Sequence, residues 1–203
     1  FENAQSSELS ANSENTFTGK LVVTTATDFE NKGTIKAVGV DINATGIFTN
    51  EGTIASLSGD VSIKSASFTN DAEKEISAKN MSIDSGTVTN VGILTATGDL
   101  SIIATSITNS GKIKAQNGEL ETTEANILFG GNSKNTFTGK LVVKTATDFE
   151  NKGTIEVTSG NFSANVKNNF ANNSQITVTT GKLLVNPVIN FTNAGTIKAV
   201  GVE

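Results

Sequence analysis

Apolar and polar residues recur along this chain in a fixed order, with a period of 19 to 21 residues. One recurring segment is typified by Phe29-Glu-Asn31-Lys-Gly33-Thr-Ile35, in which apolar, amide, glycine and branched positions alternate with variable ones. Alternation of this kind predicts short β-strands with one buried face. A fixed period of about 20 residues is typical of a solenoid, in which each period forms one coil.

Two columns of this segment are predicted to stack in the interior as a structural ladder. The asparagine column is Asn31, Asn50, Asn70, Asn90, Asn109, Asn151, Asn172 and Asn193. The aromatic column is Phe29, Phe48, Phe68, Phe149, Phe170 and Phe191, with Val88, Ile107 and Leu128 in the remaining coils. Equivalent residues of stacked coils lie about 4.8 Å apart, so amides can hydrogen-bond along the axis. The glycine after each asparagine is predicted to adopt the left-handed conformation at a sharp corner.

A second motif, seen in Gly19-Lys-Leu21-Val-Val23, precedes the first by half a period and predicts another buried strand. Its first apolar column is expected to include Leu120, and its second Thr122. A closing column of Ile and Leu completes each coil, as at Ile35. Together these columns predict an all-β chain, a parallel β-helix of about ten coils.

The chain divides into an irregular first coil or cap at residues 1–16 and a repeat array at 17–203. In the first, Phe1-Glu-Asn3 copies the start of the signature. Within the array, residues 132–155 nearly copy residues 12–35, which indicates a duplication of six coils. An irregular coil lies near 126–134, where we expect Gly130 in the asparagine place and Lys134 in the closing place.

Composition removes several classes of function. The chain has no Cys, no His and no Trp or Tyr, and all 15 of its basic residues are lysines. It therefore lacks disulfides, the commonest general base and the guanidinium fork that binds phosphate. A net charge of −5 argues against a nucleic-acid partner. Because the sequence begins at Phe1, we expect it to be a processed or excised piece, with any targeting signal outside it.

The frame Gly98-Asp-Leu-Ser-Ile102 followed by Ile107-Thr-Asn109-Ser-Gly111-Lys-Ile113 resembles the repeats of filamentous haemagglutinins. These repeats occur in large exoproteins of Gram-negative two-partner secretion systems, and autotransporter passengers are similar at this level. The resemblance implies a right-handed β-helix, export through an outer-membrane secretion partner and a place on the bacterial cell surface. It also implies adhesion to a receptor on host or neighbouring cells, or the display of a distal effector.

Rival functions are weighed against a non-catalytic shaft. A carbohydrate-binding or pectate-lyase-like β-helix would need charged groups converging on one outer face. Asp99 and Glu119 are predicted to stack there as a carboxylate pair, although a solvated column of mixed charge is the simpler interpretation. Calcium binding would need a nonapeptide repeat that only Gly130-Gly131-Asn132 faintly matches, so no metal or cofactor is expected.

Two further alternatives rest on short patterns. Ice binding would need a flat threonine ladder, but the column of Thr34 and Thr53 is interrupted in other coils. Five segments match the glycosylation acceptor pattern: Asn43-Ala-Thr45, Asn80-Met-Ser82, Asn161-Phe-Ser163, Asn172-Asn-Ser174 and Asn190-Phe-Thr192. Finally, an uncapped parallel ladder favours pairing with another molecule, so end-to-end self-association is a further expectation.

Overall fold

The computed structural model describes residues 2–3, 7–186 and 189–203, and those residues form strands, turns and bends without a helix. Phe1, the first residue of the partial signature copy, lies outside the described residues. In the first half of the chain the strands are β1 (Glu2–Asn3), β2 (Ser7–Leu9), β3 (Glu14–Thr16), β4 (Lys20–Thr25), β5 (Phe29–Asn31), β6 (Thr34–Ala37), β7 (Gly39–Ala44), β8 (Ile47–Asn50), β9 (Thr53–Ser56), β10 (Val61–Asn70), β11 (Glu75–Ala78), β12 (Met81–Asn90), β13 (Ile93–Ala96) and β14 (Asp99–Asn109).

In the second half they are β15 (Lys112–Ala115), β16 (Asn117–Thr122), β17 (Ile127–Phe129), β18 (Lys134–Phe137), β19 (Leu141–Thr145), β20 (Phe149–Asn151), β21 (Thr154–Val157), β22 (Phe162–Val166), β23 (Asn169–Asn172), β24 (Gln175–Val178), β25 (Lys182–Asn186), β26 (Asn190–Asn193), β27 (Thr196–Lys198) and β28 (Gly201–Val202).

Each strand pairs in parallel with its counterparts in the neighbouring coils. The pairing of β10 with β12, for example, runs in register from Val61↔Met81 to Asn70↔Asn90. In the coils of β10, β12 and β14, two arms of the coil merge into one long strand, and the third arm forms a separate sheet from β3 to β27. The predicted all-β parallel solenoid of about ten turns is confirmed.

Apolar columns fill the space between the arms. Phe48 and Phe68 are fully buried, and their rings follow that of Phe29, with centroids 5.5 Å apart for Phe29–Phe48 and 5.6 Å for Phe48–Phe68. In a second stack, the Phe149–Phe170 centroids are 5.1 Å apart. Because each coil presents the same residue type at the same place, side chains of equal shape pack on one another along the axis.

The register corrects two sequence assignments near residue 120. Gly118, not Leu120, pairs with Leu100 and Leu141 in the first apolar column. Leu120 instead occupies the second column, and Thr122 lies one place beyond it, opposite Thr145. A uniform period of about 20 residues conceals this shift, because a coil of 18 residues (100 to 118) is followed by one of 23 (118 to 141).

The irregular coil is also shifted by one residue from its predicted alignment. Ile127, rather than Leu128, pairs with Ile107 and Phe149 in the aromatic column. Phe129, rather than Gly130, takes the asparagine place between Asn109 and Asn151. In the closing column, Asn135 rather than Lys134 lies between Ile113 and Ile155. In this coil (residues 127–137) the asparagine has therefore moved to the following strand, and a phenylalanine takes its usual place. Both side chains remain buried. We refer to this coil as the exchanged coil.

The left-handed conformation predicted for the corner glycines is wrong. No described glycine has a positive φ, and the positive-φ residues are Asn12 (62°) and Glu73 (65°). The constraint is steric instead. A Cβ on Gly52 would lie 1.9 Å from the carbonyl oxygen of Gly33, and one on Gly111 would lie 2.1 Å from that of Gly92. Glycine lets the backbones of successive corners approach closely.

Candidate functional site

The predicted asparagines lie on the inner side of the second arm, at the end of each strand where the chain turns a corner. The asparagines from Asn31 to Asn172 expose at most 1% of their surface, whereas Asn193 is exposed. Nδ2 of Asn31 donates to Oδ1 of Asn50 at 2.8 Å. The same link joins Asn50 to Asn70 (2.8 Å), Asn70 to Asn90 (2.8 Å), Asn90 to Asn109 (2.6 Å), Asn151 to Asn172 (2.8 Å) and Asn172 to Asn193 (2.7 Å).

The exchanged coil ends one amide chain and allows another to begin. Nδ2 of Asn109 crosses to the other strand and donates to Oδ1 of Asn135 at 2.7 Å. Nδ2 of Asn135 then donates to the Oγ of Ser133 and to the carbonyl of Thr154, and not to the next asparagine. At the start of the second chain, Oδ1 of Asn151 accepts the N–H of Gly153 at 3.2 Å. Buried amides are thus satisfied without continuity of the ladder.

Asn31, the first member of the first amide chain, lacks one hydrogen bond. Its Oδ1 is the one buried side-chain oxygen or nitrogen of the described residues without a hydrogen-bond partner. The preceding coil places Leu9 opposite Asn31, so no amide is available to donate. An unsatisfied buried acceptor costs stability, which makes this coil boundary weaker than those along the amide chain.

The predicted carboxylate pair is absent, because Asp99 and Glu119 are not register neighbours. Asp99 pairs with Asn117, whose Nδ2 donates to its Oδ1 at 2.8 Å. Glu119 lies two residues along the strand, opposite Ser101, and forms an exposed ion pair of 2.6 Å with Lys144. Both carboxylates line an open cleft of about 300 Å³. The described residues contain no group of three or more side chains placed to hold a metal ion.

A second amide ladder on the outer surface was missed by the sequence reasoning, which treated this column as a solvated one. Nδ2 of Asn80 donates to Oδ1 of Asp60 at 2.8 Å, and the N–H of Asp99 donates to Oδ1 of Asn80 at 3.0 Å. Asn117 continues the column, its Oδ1 accepting the N–H of Lys140. The recurrence of Asp and Asn just before the first strand was the available signal. Side chains here cap backbone groups between coils.

Two surface carboxylates, Glu30 and Glu51, interact electrostatically with each other. A hydrogen bond from Lys32 lowers the pKa of Glu30. A hydrogen bond shared with Glu30 raises the pKa of Glu51, and the negative charges of Glu30 and Asp71 add to that rise. These groups are partly exposed, so they form a solvated charge network along one edge of the coils.

The structure shows where the threonine column and the glycosylation acceptor segments lie. The column of Thr34 and Thr53 continues with Glu75, which ends the threonine ladder after two coils. Of the five acceptor asparagines, Asn172 is fully buried in the amide chain, so its side chain is inaccessible in the folded protein. Asn43 and Asn161 lie exposed on the surface.

The repeat geometry and its corner signature agree with one known family. Residues 4–63 match the family model described as haemagglutinin repeat. Residues 4–63 are thus similar to a haemagglutinin repeat. The match covers under a third of the chain, but residues 12–35 lie within it and residues 132–155 nearly copy them. The β-solenoid fold is consistent with haemagglutinin-type repeats along the rest of the chain.

No curated protein and no solved structure matches the chain. The haemagglutinin repeat family is a structural and adhesin family. In the part of the chain that the structure describes, no helix is long and apolar enough to cross a membrane.

Proposed function

We propose that this chain is a non-catalytic shaft segment of a secreted, surface-exposed bacterial adhesin or exoprotein. The observation that supports this most is the stacking of successive coils in register through buried apolar columns, with buried amide chains on both sides of the irregular coil. Each added coil lengthens the stack by about 4.8 Å, and stability comes from contacts between neighbouring coils. Such a shaft works by its length and stiffness, which set the distance between the cell and an adhesive or effector segment.

The family match supports the wider setting of the proposal. The proposal includes two-partner secretion through an outer-membrane partner, export to the Gram-negative cell surface and a receptor on host or neighbouring cells, and the match of residues 4–63 to the haemagglutinin repeat supports it. The domain arrangement is part of the same proposal: residues 1–16 form a coil or cap, and residues 17–203 form the array. The duplication of 12–35 at 132–155 fits growth of the shaft by copying six coils.

A carbohydrate-binding role lacks a supporting observation. Sugars stack on exposed aromatic rings, but the chain has no Trp or Tyr, and the phenylalanines with the lowest exposure form the interior stacks. The outer cleft at Asp99 and Glu119 is open and has one ion pair that already uses Glu119. The shaft is therefore the function that we carry forward.

Deleting one coil tests the shaft directly. Removal of residues 81–99 joins Asn80 to Leu100. Leu100 then takes the place of Met81, the residue with which it pairs in the intact protein. We expect the variant to fold. Its length along the solenoid axis, measured by small-angle X-ray scattering, should fall by about 5 Å. Deletion of residues 81–90 alone breaks the register and serves as the control that should lose cooperative unfolding. Both proteins are then compared for binding to host cells and to a glycan array.

If the segment is a spacer, neither the intact chain nor the shortened one should bind host cells or glycans saturably. Saturable binding that one sugar or receptor blocks would overturn the shaft proposal and make this segment an adhesin in its own right. A loss of folding on removal of the whole coil would contradict the modular geometry.

A further inference from the structure

The outer amide ladder places asparagines at one position of the first arm, just before each buried strand begins. Asn80, Asn117 and Asn161 occupy this position in three of the coils. Asn117 is the only asparagine of the sequence that glycine follows. In a flexible chain such an asparagine loses its amide faster than others, because glycine has no side chain to hinder attack by its own backbone nitrogen. Asn117 is therefore the amide of this chain with the highest chemical reactivity.

The reaction at Asn117 needs only water and hydroxide. The backbone nitrogen of Gly118 gives its proton to hydroxide and bonds to Cγ of Asn117. The bond between Cγ and Nδ2 then breaks, and Nδ2 leaves as ammonia after taking a proton from water. Water opens the cyclic imide at either carbonyl. Opening at Cγ gives aspartate, and opening at the backbone carbonyl gives isoaspartate, in which the main chain runs through the side chain.

The folded coil engages each reacting group of Asn117 and Gly118. Nδ2 of Asn117, the leaving group, donates to Oδ1 of Asp99 at 2.8 Å. Oδ1 of Asn117 accepts the N–H of Lys140 at 3.1 Å, so the side chain is tied to the coils on both sides. The N–H of Gly118, which would have to lose its proton, donates to the carbonyl oxygen of Lys140 at 2.9 Å. Both the nucleophile and the amide are therefore held by neighbouring coils.

The backbone at Asn117 also has the wrong rotation for ring closure. Asn117 is the first residue of β16, and parallel pairing with β14 and β19 keeps this strand extended. The ψ angle of a parallel strand is about +115°, which points Cβ and the next backbone nitrogen away from each other. Closure of the imide requires rotation about the Cα–C bond until the two lie on the same side. This rotation breaks the strand pairing, so the coil must open before the reaction can occur.

We propose that Asn117–Gly118 is a deamidation site that is closed by the folding of its coil. The unfolded chain loses its first amide here, whereas the stacked solenoid retains it. Glycine is needed at this place because the ring of Phe137 fills the space that a side chain at position 118 would require. Asparagine is needed because its amide group links the two neighbouring coils. Packing thus places the most reactive dipeptide of the chain in this coil, and the same packing protects it.

Deamidation before folding would damage the coil in one of two ways. An aspartate at position 117 has no N–H to donate, and its carboxylate would repel that of Asp99 at the distance of the lost hydrogen bond. An isoaspartate lengthens the main chain, which displaces Gly118 and the fully buried Leu120 from their register. Time spent unfolded therefore lowers the fraction of chains that can stack this coil.

Mass spectrometry of folded and urea-unfolded protein, held side by side at mildly alkaline pH, tests the site and its protection. Trypsin releases residues 115–134 as one peptide, in which Asn117 competes with Asn126 and Asn132. We expect the unfolded chain to lose the amide of Asn117 first, and the folded chain to do so at least about tenfold more slowly. Asn80 is the matched control, since it has the same ladder contacts but is followed by Met81. Its amide should outlast that of Asn117 in the unfolded chain.

Asn117→Asp and Asn161→Asp separate the effect of the product from that of its charge. Both changes add a negative charge at the same place in a coil. Asn117 lies between Asp99 and Lys140, whereas Asn161 lies between Lys140 and Lys182. We expect a lower urea midpoint for Asn117→Asp and no decrease for Asn161→Asp, because only the first carboxylate faces another carboxylate.

Equal rates of amide loss at Asn117 in folded and unfolded protein would overturn the protection by folding. Earlier loss of a different amide in the unfolded chain would overturn the choice of site. An unchanged urea midpoint for Asn117→Asp would contradict the predicted damage to the coil. These outcomes are independent of the shaft function, which is tested by receptor binding and by coil deletion.

Discussion

The ring of Phe137 occupies the space that a side chain at Gly118 would need. A Cβ built on Gly118 would lie 2.3 Å from Cε1 of Phe137 and 3.0 Å from Cδ1 of Leu141. The neighbours of Phe137 in its own column are Ala115 and Val157, which are smaller. A large residue in one column thus compensates a missing side chain in another, and the core of this coil stays filled.

This compensation predicts strong coupling between the two positions. Gly118→Ala should destabilise the protein by about 1–3 kcal/mol, because the added methyl group displaces a packed ring. Phe137→Ala should cost about 3–5 kcal/mol by leaving a cavity. Urea unfolding of both single variants and of the double variant measures the coupling.

We expect the double variant to be more stable than the sum of the single effects indicates, since the new methyl group enters the space that the ring vacates. Strict additivity of the two changes would contradict the contact. Phe17→Ala is the matched control, because Phe17 is 36% exposed and should cost less than Phe137.

The buried amide chain should be sensitive to the loss of one member. Asn109→Ala removes the acceptor of Asn90 and the donor to Asn135, so two buried groups lose a partner. Nδ2 of Asn90 keeps the carbonyls of Gly92 and Lys112 as acceptors, whereas Oδ1 of Asn135 is left unsatisfied. An unsatisfied buried group costs about 1–3 kcal/mol, and we expect a loss of that size in the free energy of unfolding. The measurement is chemical unfolding followed by circular dichroism.

Asn43→Ala provides the comparison for that substitution, because Asn43 is an exposed residue of β7. Its effect should stay within about 0.5 kcal/mol. Equal effects of the two substitutions would show that the amide chain contributes nothing beyond a surface asparagine.

The corner glycines give a test that separates steric from conformational requirements. Gly111→Ala should be strongly destabilising, since its Cβ would lie 2.1 Å from a backbone oxygen that cannot move alone. A Cβ on Gly19 would meet nothing within 4 Å, and its φ is not positive. Gly19→Ala should therefore be neutral or stabilising by up to about 1 kcal/mol, through the unfolded state. Thermal unfolding of the pair distinguishes these outcomes, and similar losses at both positions would refute the steric account.

The period of the chain was sufficient to predict the solenoid and the parallel pairing of its strands. It was insufficient near residues 118–137, because a short coil followed by a long one leaves the average period unchanged. Placing Gly118 in an apolar column looks unfavourable until the ring of Phe137 is seen to fill the space. Such compensation depends on contacts between columns, which a one-dimensional pattern does not contain.

The surface carboxylates show a similar limit. The shift of two residues in this coil moved Glu119 away from Asp99 and put Asn117 in its place. A pair inferred from spacing alone therefore became an Asp–Asn hydrogen bond and a separate ion pair with Lys144. Chemistry that needs two side chains on adjacent coils can be inferred from sequence only where the coil length is known.

Replacing both carboxylates should consequently have little effect. Asp99→Ala with Glu119→Ala removes one exposed hydrogen bond and one exposed ion pair, which together contribute about 1 kcal/mol or less. Folding should also be independent of added calcium or of a chelator. Calcium-dependent stability of the unmodified chain that disappears in the double variant would show a cation site that the described geometry lacks.

The Glu30–Glu51 contact predicts an unusual pH dependence. The pKa of Glu51 is raised in the folded state, so its contribution to stability is present below its unfolded pKa and declines as pH rises through the folded pKa. Glu51→Gln removes the repulsion from Glu30 and Asp71, and should stabilise the protein at pH 7 but not at pH 3.

The pKa of Glu30 is lowered, so its contribution has the opposite sign and is lost as pH falls through its folded pKa. Lys32→Ala removes the hydrogen bond that lowers it, and should move the pKa of Glu30 upward. Carbon-13 NMR titration of the carboxyl groups measures both values. Because the two carboxyls share a hydrogen bond, their titrations are linked, and in Glu51→Gln the pKa of Glu30 should respond as well. Independent titration of the two groups would mean that they do not share that contact in solution.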